Sequence, residues 1–264
     1  MEDQLPPESK PATAALAENP VIWHLFSRIA FRFWFLYFVG NFFPIVDPVV
    51  SWIAARVFRA TLPLVVSGSG SGDKTYDWVK AFCVLGVAVC GTLLWSMLDR
   101  RRPNYIALQR WFHLLLRFSL GAIMLTYGWM KIVPLQMPYP SLTRLLQPFG
   151  EFSPMGVLWS SVGASPAYEI FTGFVEVVLP FTSRFGVLLC LAASTQIFVL
   201  NMTYDVPVKL YSFLLILRSL VLLEPDLPRL VKFVFSKGPV DAAPSGELFV
   251  SPARTGLLTS CRFC

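Results

Sequence analysis

Charge is what this chain has least of. Asp, Glu, Lys and Arg make up 14% of its 264 residues, against about 25% in soluble domains, whereas 55% of residues are hydrophobic and the mean hydropathy is +0.59. A soluble globule of this length needs more charge to cover its surface, so the apolar residues are expected to face lipid. Cysteine is also scarce. Of five, Cys83, Cys90 and Cys190 lie inside apolar runs, which excludes a secreted disulfide framework. The two histidines, His24 and His113, have no second ligand at metal spacing. The 22 Lys and Arg outnumber 16 Asp and Glu, but the excess is spread along the chain and builds no basic face for nucleic acid. No haem-ligand pair and no flavin or nicotinamide fingerprint is present, and neither is the internal repeat or broken-helix pair of a secondary transporter. The Gly-rich SGSGSGDK at 67–74 lacks the ending of a phosphate loop and reads as a linker.

What is present is a series of apolar runs. Residues 1–20, rich in Pro, Glu and small side chains, read as a disordered cytoplasmic tail without the basic start or cleavage site of a signal peptide. The spacing predicts spans at 28–44, 78–98, 111–129, 166–181, 186–202 and 207–223, the last closed by EPDLP. Residues 21–110 thus hold two transmembrane helices and an outer segment, 111–230 a four-helix bundle, and 231–264 a cytoplasmic tail. Arg28 and Arg32 are expected to snorkel at the start of the first span. Between spans one and two, residues 49–62 carry Arg56 and Arg59 on one face and Trp52 on another, the pattern of an interfacial helix. A crossing there would reverse the orientation of everything after it. The Pro-rich segment 132–165 reads as a lid on the outer mouth, with helical pieces opened by Ser141 and by Ser153 with Pro154. Six spans place 13 Lys and Arg on the side of the termini and 7 on the other, so both termini are expected in the cytoplasm.

Ionisable residues inside spans cost roughly 2.5 to 3.5 kcal/mol each at a helix centre unless partnered. Counting from the helix ends places Arg117, Glu176 and Arg218 at one depth, so Glu176 is expected to bridge the two arginines. Lys131, Glu169, Asp205 and Lys209 form a second layer at the outer ends. Glu169, Gly173 and Glu176 share a face. The two layers are either structural ion pairs or a site for a polar headgroup, an anion or protons. Thr195 and Gln196 are expected to hydrogen-bond across the bundle. Cys83 and Cys90, two turns apart, are too distant for a direct bond, and the terminal Cys261 and Cys264 lack a thioredoxin-like context.

The stretch RFSLGAIMLTYGWMK, with Arg117, Gly121, Gly128 and Lys131, and the stretch YEIFTGFVEVVLPFTSR, with Glu169, Gly173 and Arg184, resemble the first two helices of the DoxX-like membrane family. The resemblance covers residues 105–235, and NMTYDVPVKL at 201–210 is similar to longer bacterial relatives. It implies an all-α integral inner-membrane protein of about six transmembrane helices, the last four forming an antiparallel bundle. By the same resemblance the chain is expected to be a subunit that binds quinone or a lipid headgroup at Arg117, Lys131, Glu169, Glu176, Asp205, Lys209 and Arg218. A redox partner protein would dock on the outer face. A noncatalytic scaffold or assembly factor is the alternative, since the chain itself carries no redox centre.

Overall fold

A computed structural model describes residues 22–42, 47–59, 73–178 and 184–235, and every regular element among them is helical. The helices are α1 Leu25–Phe42, α2 Asp47–Arg56, α3 Thr75–Leu98, α4 Ile106–Ile132, α5 Leu142–Leu146, α6 Pro154–Gly163, α7 Pro166–Val178, α8 Arg184–Thr203, α9 Lys209–Leu223 and α10 Leu227–Phe235. The expectations for 1–20, most of 60–74 and the C-terminal cysteines fall outside the described residues.

Three helix pairs make most of the packing: α4 with α7, α8 with α9, and α1 with α3. The core follows the buried stripe Phe112, Leu116, Leu120, Met124 and Gly128 of α4, one residue in four, which meets Phe31 and Phe38 of α1, Cys190 of α8 and Leu215 of α9. Aromatic edges lock this seam, with Phe31 stacked at 5.4 Å on Tyr105 and Phe35 at 5.4 Å from Phe112. Helix α1 therefore belongs to the same core as α4, α8 and α9.

Arg32 corrects an expectation. Instead of snorkelling it is 2% exposed. Its Nε and Nη2 donate to the Tyr105 hydroxyl at 3.0 and 2.7 Å, Nη1 to Ser96 Oγ at 2.8 Å, and Nη2 also to the Asp99 carbonyl at 2.7 Å. Tyr105 in turn donates to Asp99 Oδ2 at 2.8 Å. One turn deeper than Arg28, Arg32 takes its acceptors from the end of α3 and the α3–α4 connection.

Among the described residues, two helices are long and apolar enough to cross a membrane, Thr75–Leu98 and Phe185–Thr203. The other expected spans fall short by different routes. Helix α7 has 13 described residues and α9 has 15, about 20 to 23 Å at 1.5 Å each, while α1 and α4 carry arginines and many ring side chains. Helix α7 is nonetheless turned inside out relative to a soluble helix: Glu169, Gly173 and Glu176 are buried, and Tyr168, Phe171 and Phe174 are exposed. That is how a helix in an apolar solvent hides its polar face. Helix α2, ten residues long, is too short to span and packs Val50 and Ala54 against α3.

The chain does not become a tail after EPDLP. Pro225 lies in a 3-10 turn and Pro228 in the first turn of α10, positions that lose no helical hydrogen bond. The prolines punctuate the helix without ending it.

Candidate functional site

The site begins with two glycines. A Cβ built on Gly173 would stand 2.6 Å from the Gly128 carbonyl oxygen, and one on Gly128 would stand 2.8 Å from the Gly173 carbonyl. Only hydrogen at both positions lets α4 and α7 approach this closely. One turn beyond each glycine stand Lys131 and Glu176. Because the helices are antiparallel and every Cβ leans toward its own N-terminus, these two side chains point at each other. Lys131 Nζ donates to Glu176 Oε1, with the Glu176 side chain buried and that of Lys131 nearly so.

The pair forms one wall of a cavity of about 630 Å³ between α4, α7, α8 and α9. Met124, Tyr127 and Met130 of α4, Leu200 and Asn201 of α8, and Tyr211, Ser212 and Leu215 of α9 complete the walls. Its roof is the segment expected to be a lid, through Gln136, Met137, Met155, Leu158 and Trp159. The lid is ordered by its own polar contacts. Ser141 accepts from the Arg144 backbone and Ser153 from that of Gly156, both as expected. The Arg144 guanidinium lies 4.5 Å over the Phe152 ring and donates to Gln147 Oε1 at 3.1 Å. Gly163 lets α6 close on the segment before α5, since a Cβ there would meet the Met137 and Pro138 carbonyls at 2.6 Å. Glu169 ties the lid to α7 by accepting the Met137 N–H at 3.1 Å.

Two buried acceptors at this site have no donor: Glu176 Oε2 and Gln136 Oε1. Such atoms cost about 1 to 3 kcal/mol each when left unsatisfied. Chemically the cavity offers apolar and aromatic walls, four methionines that adapt to shape, and a polar end made of one ion pair and two open acceptors. That is the composition of a site for a small amphipathic molecule.

The seven expected site residues do not form two layers. Glu176 pairs with Lys131, not with Arg117 and Arg218. Arg117 follows Leu116 and so falls about 100° off the buried stripe, on the exposed face of α4. Arg218 is buried but meets no carboxylate; its Nε and Nη1 have no acceptor, and the guanidinium lies 6.0 and 5.5 Å from the Phe38 and Phe42 ring centres. Asp205, in left-handed backbone at φ 52°, is an exposed partner of Lys209 at 2.8 Å. Counting residues gave depth but ignored which way each side chain leans.

Three polar residues at or near the site carried no motif. Asp73 accepts the backbone N–H groups of Lys209 and Leu210 at 2.9 and 3.0 Å, capping α9 from 136 positions away in sequence. Asn201 makes the cross-bundle bond expected of Thr195 and Gln196, donating to Ser212 Oγ at 3.1 Å, whereas Thr195 bonds back to Leu191 in its own helix and Gln196 is exposed. Gln136 was hidden among the lid's prolines. No group of three or more metal-ligating side chains occurs among the described residues. The chain matches no protein-family model, no curated protein and no solved structure.

Proposed function

We propose that this chain is a multi-pass inner-membrane subunit of DoxX-like type that binds the head of a quinone or a lipid in the lidded cavity and supports a membrane redox complex. Both termini lie in the cytoplasm and the lid faces outward, toward a redox partner. The observation that carries this reading is the Lys131–Glu176 pair at the wall of the cavity, with Glu176 Oε2 and Gln136 Oε1 buried beside it without a donor. Lys131 supplies a donor for a carbonyl or phosphate oxygen, the two open acceptors take a hydroxyl, and the tyrosine and methionine walls take a ring or chain end. Electrons come from elsewhere, and the chain contributes binding and proton handling.

The test is mild purification followed by mass spectrometry of bound small molecules. Wild type should carry a quinone or lipid species that Lys131→Met loses while keeping its helical content. A second reading, a scaffold, is favoured by the way Lys131 and Glu176 satisfy each other. It predicts that wild type purifies without any small molecule and that Lys131→Met with Glu176→Gln restores full stability with no binding to lose.

A further inference from the structure

A second concavity lies at the opposite end of the bundle from the lid. It measures about 830 Å³ and runs between α1, α4, α8, α9 and α10, with Phe31, Trp34, Phe112, Leu188 and Leu220 among its walls. Most of the walls are apolar, with Ser27, Gln109, His113 and Glu224 among the polar members of the lining. Helix α10 forms its outer edge. Leu227, Leu230, Val231 and Phe235, at i, i+3, i+4 and i+8, line the groove, while Arg229 falls on the opposite face and Lys232 on the flank next to Phe235. At the rim Phe26 and Phe235 are more than four-fifths exposed, an arrangement water does not favour.

The same end gathers positive charge. Trp23, a lining residue, donates its N–H to the Pro103 carbonyl at 3.0 Å, and Arg28 donates to the Arg102 carbonyl at 2.9 Å. These contacts bring exposed Arg100, Arg101 and Arg102 to the groove's end, where α4 adds exposed Arg110 beside the lining Gln109 and α10 adds exposed Lys232. Glu224 is the one carboxylate among the lining residues.

We propose that this groove holds an anionic phospholipid, its acyl chain lying between α1 and α10 and its phosphate held at the rim by Arg110 and Lys232. The choice of occupant rests on charge complementarity: the walls suit a hydrocarbon chain, and the cations that ring one end suit a headgroup that is both anionic and attached to that chain. The site is separate from the lidded cavity, so its failure leaves the proposed function standing.

The test compares phosphatidylglycerol and phosphatidylcholine of identical chains on the purified full-length protein, read by native mass spectrometry and thermal stability. Phosphatidylglycerol should be retained preferentially and raise the melting temperature, and glycerol phosphate without chains should do neither. Arg110→Gln and Lys232→Gln should each cut the preference about fivefold. Ala30→Trp, which fills the groove, should abolish retention of both lipids, and a photocrosslinker at Ser27 should yield lipid adducts in wild-type background. Equal retention of the two lipids, stabilisation by glycerol phosphate alone, indifference to both charge variants, or crosslinks from Ser27 to residues 236–264 of the same chain would each overturn the assignment.

Discussion

Glu176 is the residue on which the cavity's electrostatics turn. Neutralising it leaves the Lys131 ammonium buried without its partner, and removing one member of a buried pair costs on the order of 3 to 5 kcal/mol. Glu176→Gln should therefore lower yield and melting temperature in detergent, and adding Lys131→Met should recover most of the loss. An unchanged melting temperature in Glu176→Gln would mean the pair is not the hub. Arg32 and Tyr105 give a pH-dependent counterpart at the other end of the fold. Burial pushes the Tyr105 phenol above its usual range, with the bond to Asp99 acting in the same direction and Arg32 opposing. The folded chain then keeps a proton that the unfolded chain releases near pH 10. This contribution to stability is fully present below that pH and is lost as pH rises through the higher folded value. Melting temperature should fall as pH rises above about 10, and Tyr105→Phe, less stable at neutral pH, should show a shallower fall.

At the scale of the helix, close approach and end-capping decide where the site sits. Gly173→Ala should force α4 and α7 apart, because the neighbour of the new methyl is backbone that cannot rotate away. A cost of roughly 1 to 3 kcal/mol is expected from overpacking, together with loss of any cavity ligand. Gly86→Ala in α3 is the matched control: nothing lies within 4 Å of a Cβ there, so it should stabilise by up to about 1 kcal/mol through helix propensity. Thermal melts of the two variants separate crowding from propensity. Asp73 tests the remote cap. Asp73→Ala should cost about 0.5 to 2 kcal/mol by leaving two α9 N–H groups without an acceptor, and Asp73→Asn should recover part of it.

For the molecule as a whole, the proposed six-span topology predicts opposite exposure of the lid and the α3–α4 connection. In a cysteine-free background, a cysteine at Ser141 should react with an impermeant thiol reagent in intact cells, while one at Arg102 should react only after permeabilisation. The reverse labelling would invert the orientation and place the basic groove outside. The two ends of the bundle also differ: the lid, α4 and α7 enclose the polar cavity, and α1, α4 and α10 frame the apolar groove.

Composition and periodicity alone determined the helical class, the position of the long apolar helices and the two serine-capped starts in the lid, because these depend on local residue spacing and on capping bonds within a single turn. They also singled out Arg117, Glu176 and Arg218 as charges too costly to leave in an apolar helix without a partner, and Lys131 and Glu169 as charges at the outer ends. Which charges meet was decided by the tertiary structure. The lean of Cβ atoms across an antiparallel pair joined Glu176 to Lys131, and a shift of one residue off the buried stripe sent Arg117 outward. The partners of Arg32 and the cap from Asp73 join residues that stand 64 to 73 and 136 to 137 positions apart. No local pattern encodes such pairings. They exist because a buried donor takes the acceptor that packing brings within 3 Å, wherever that acceptor lies along the chain.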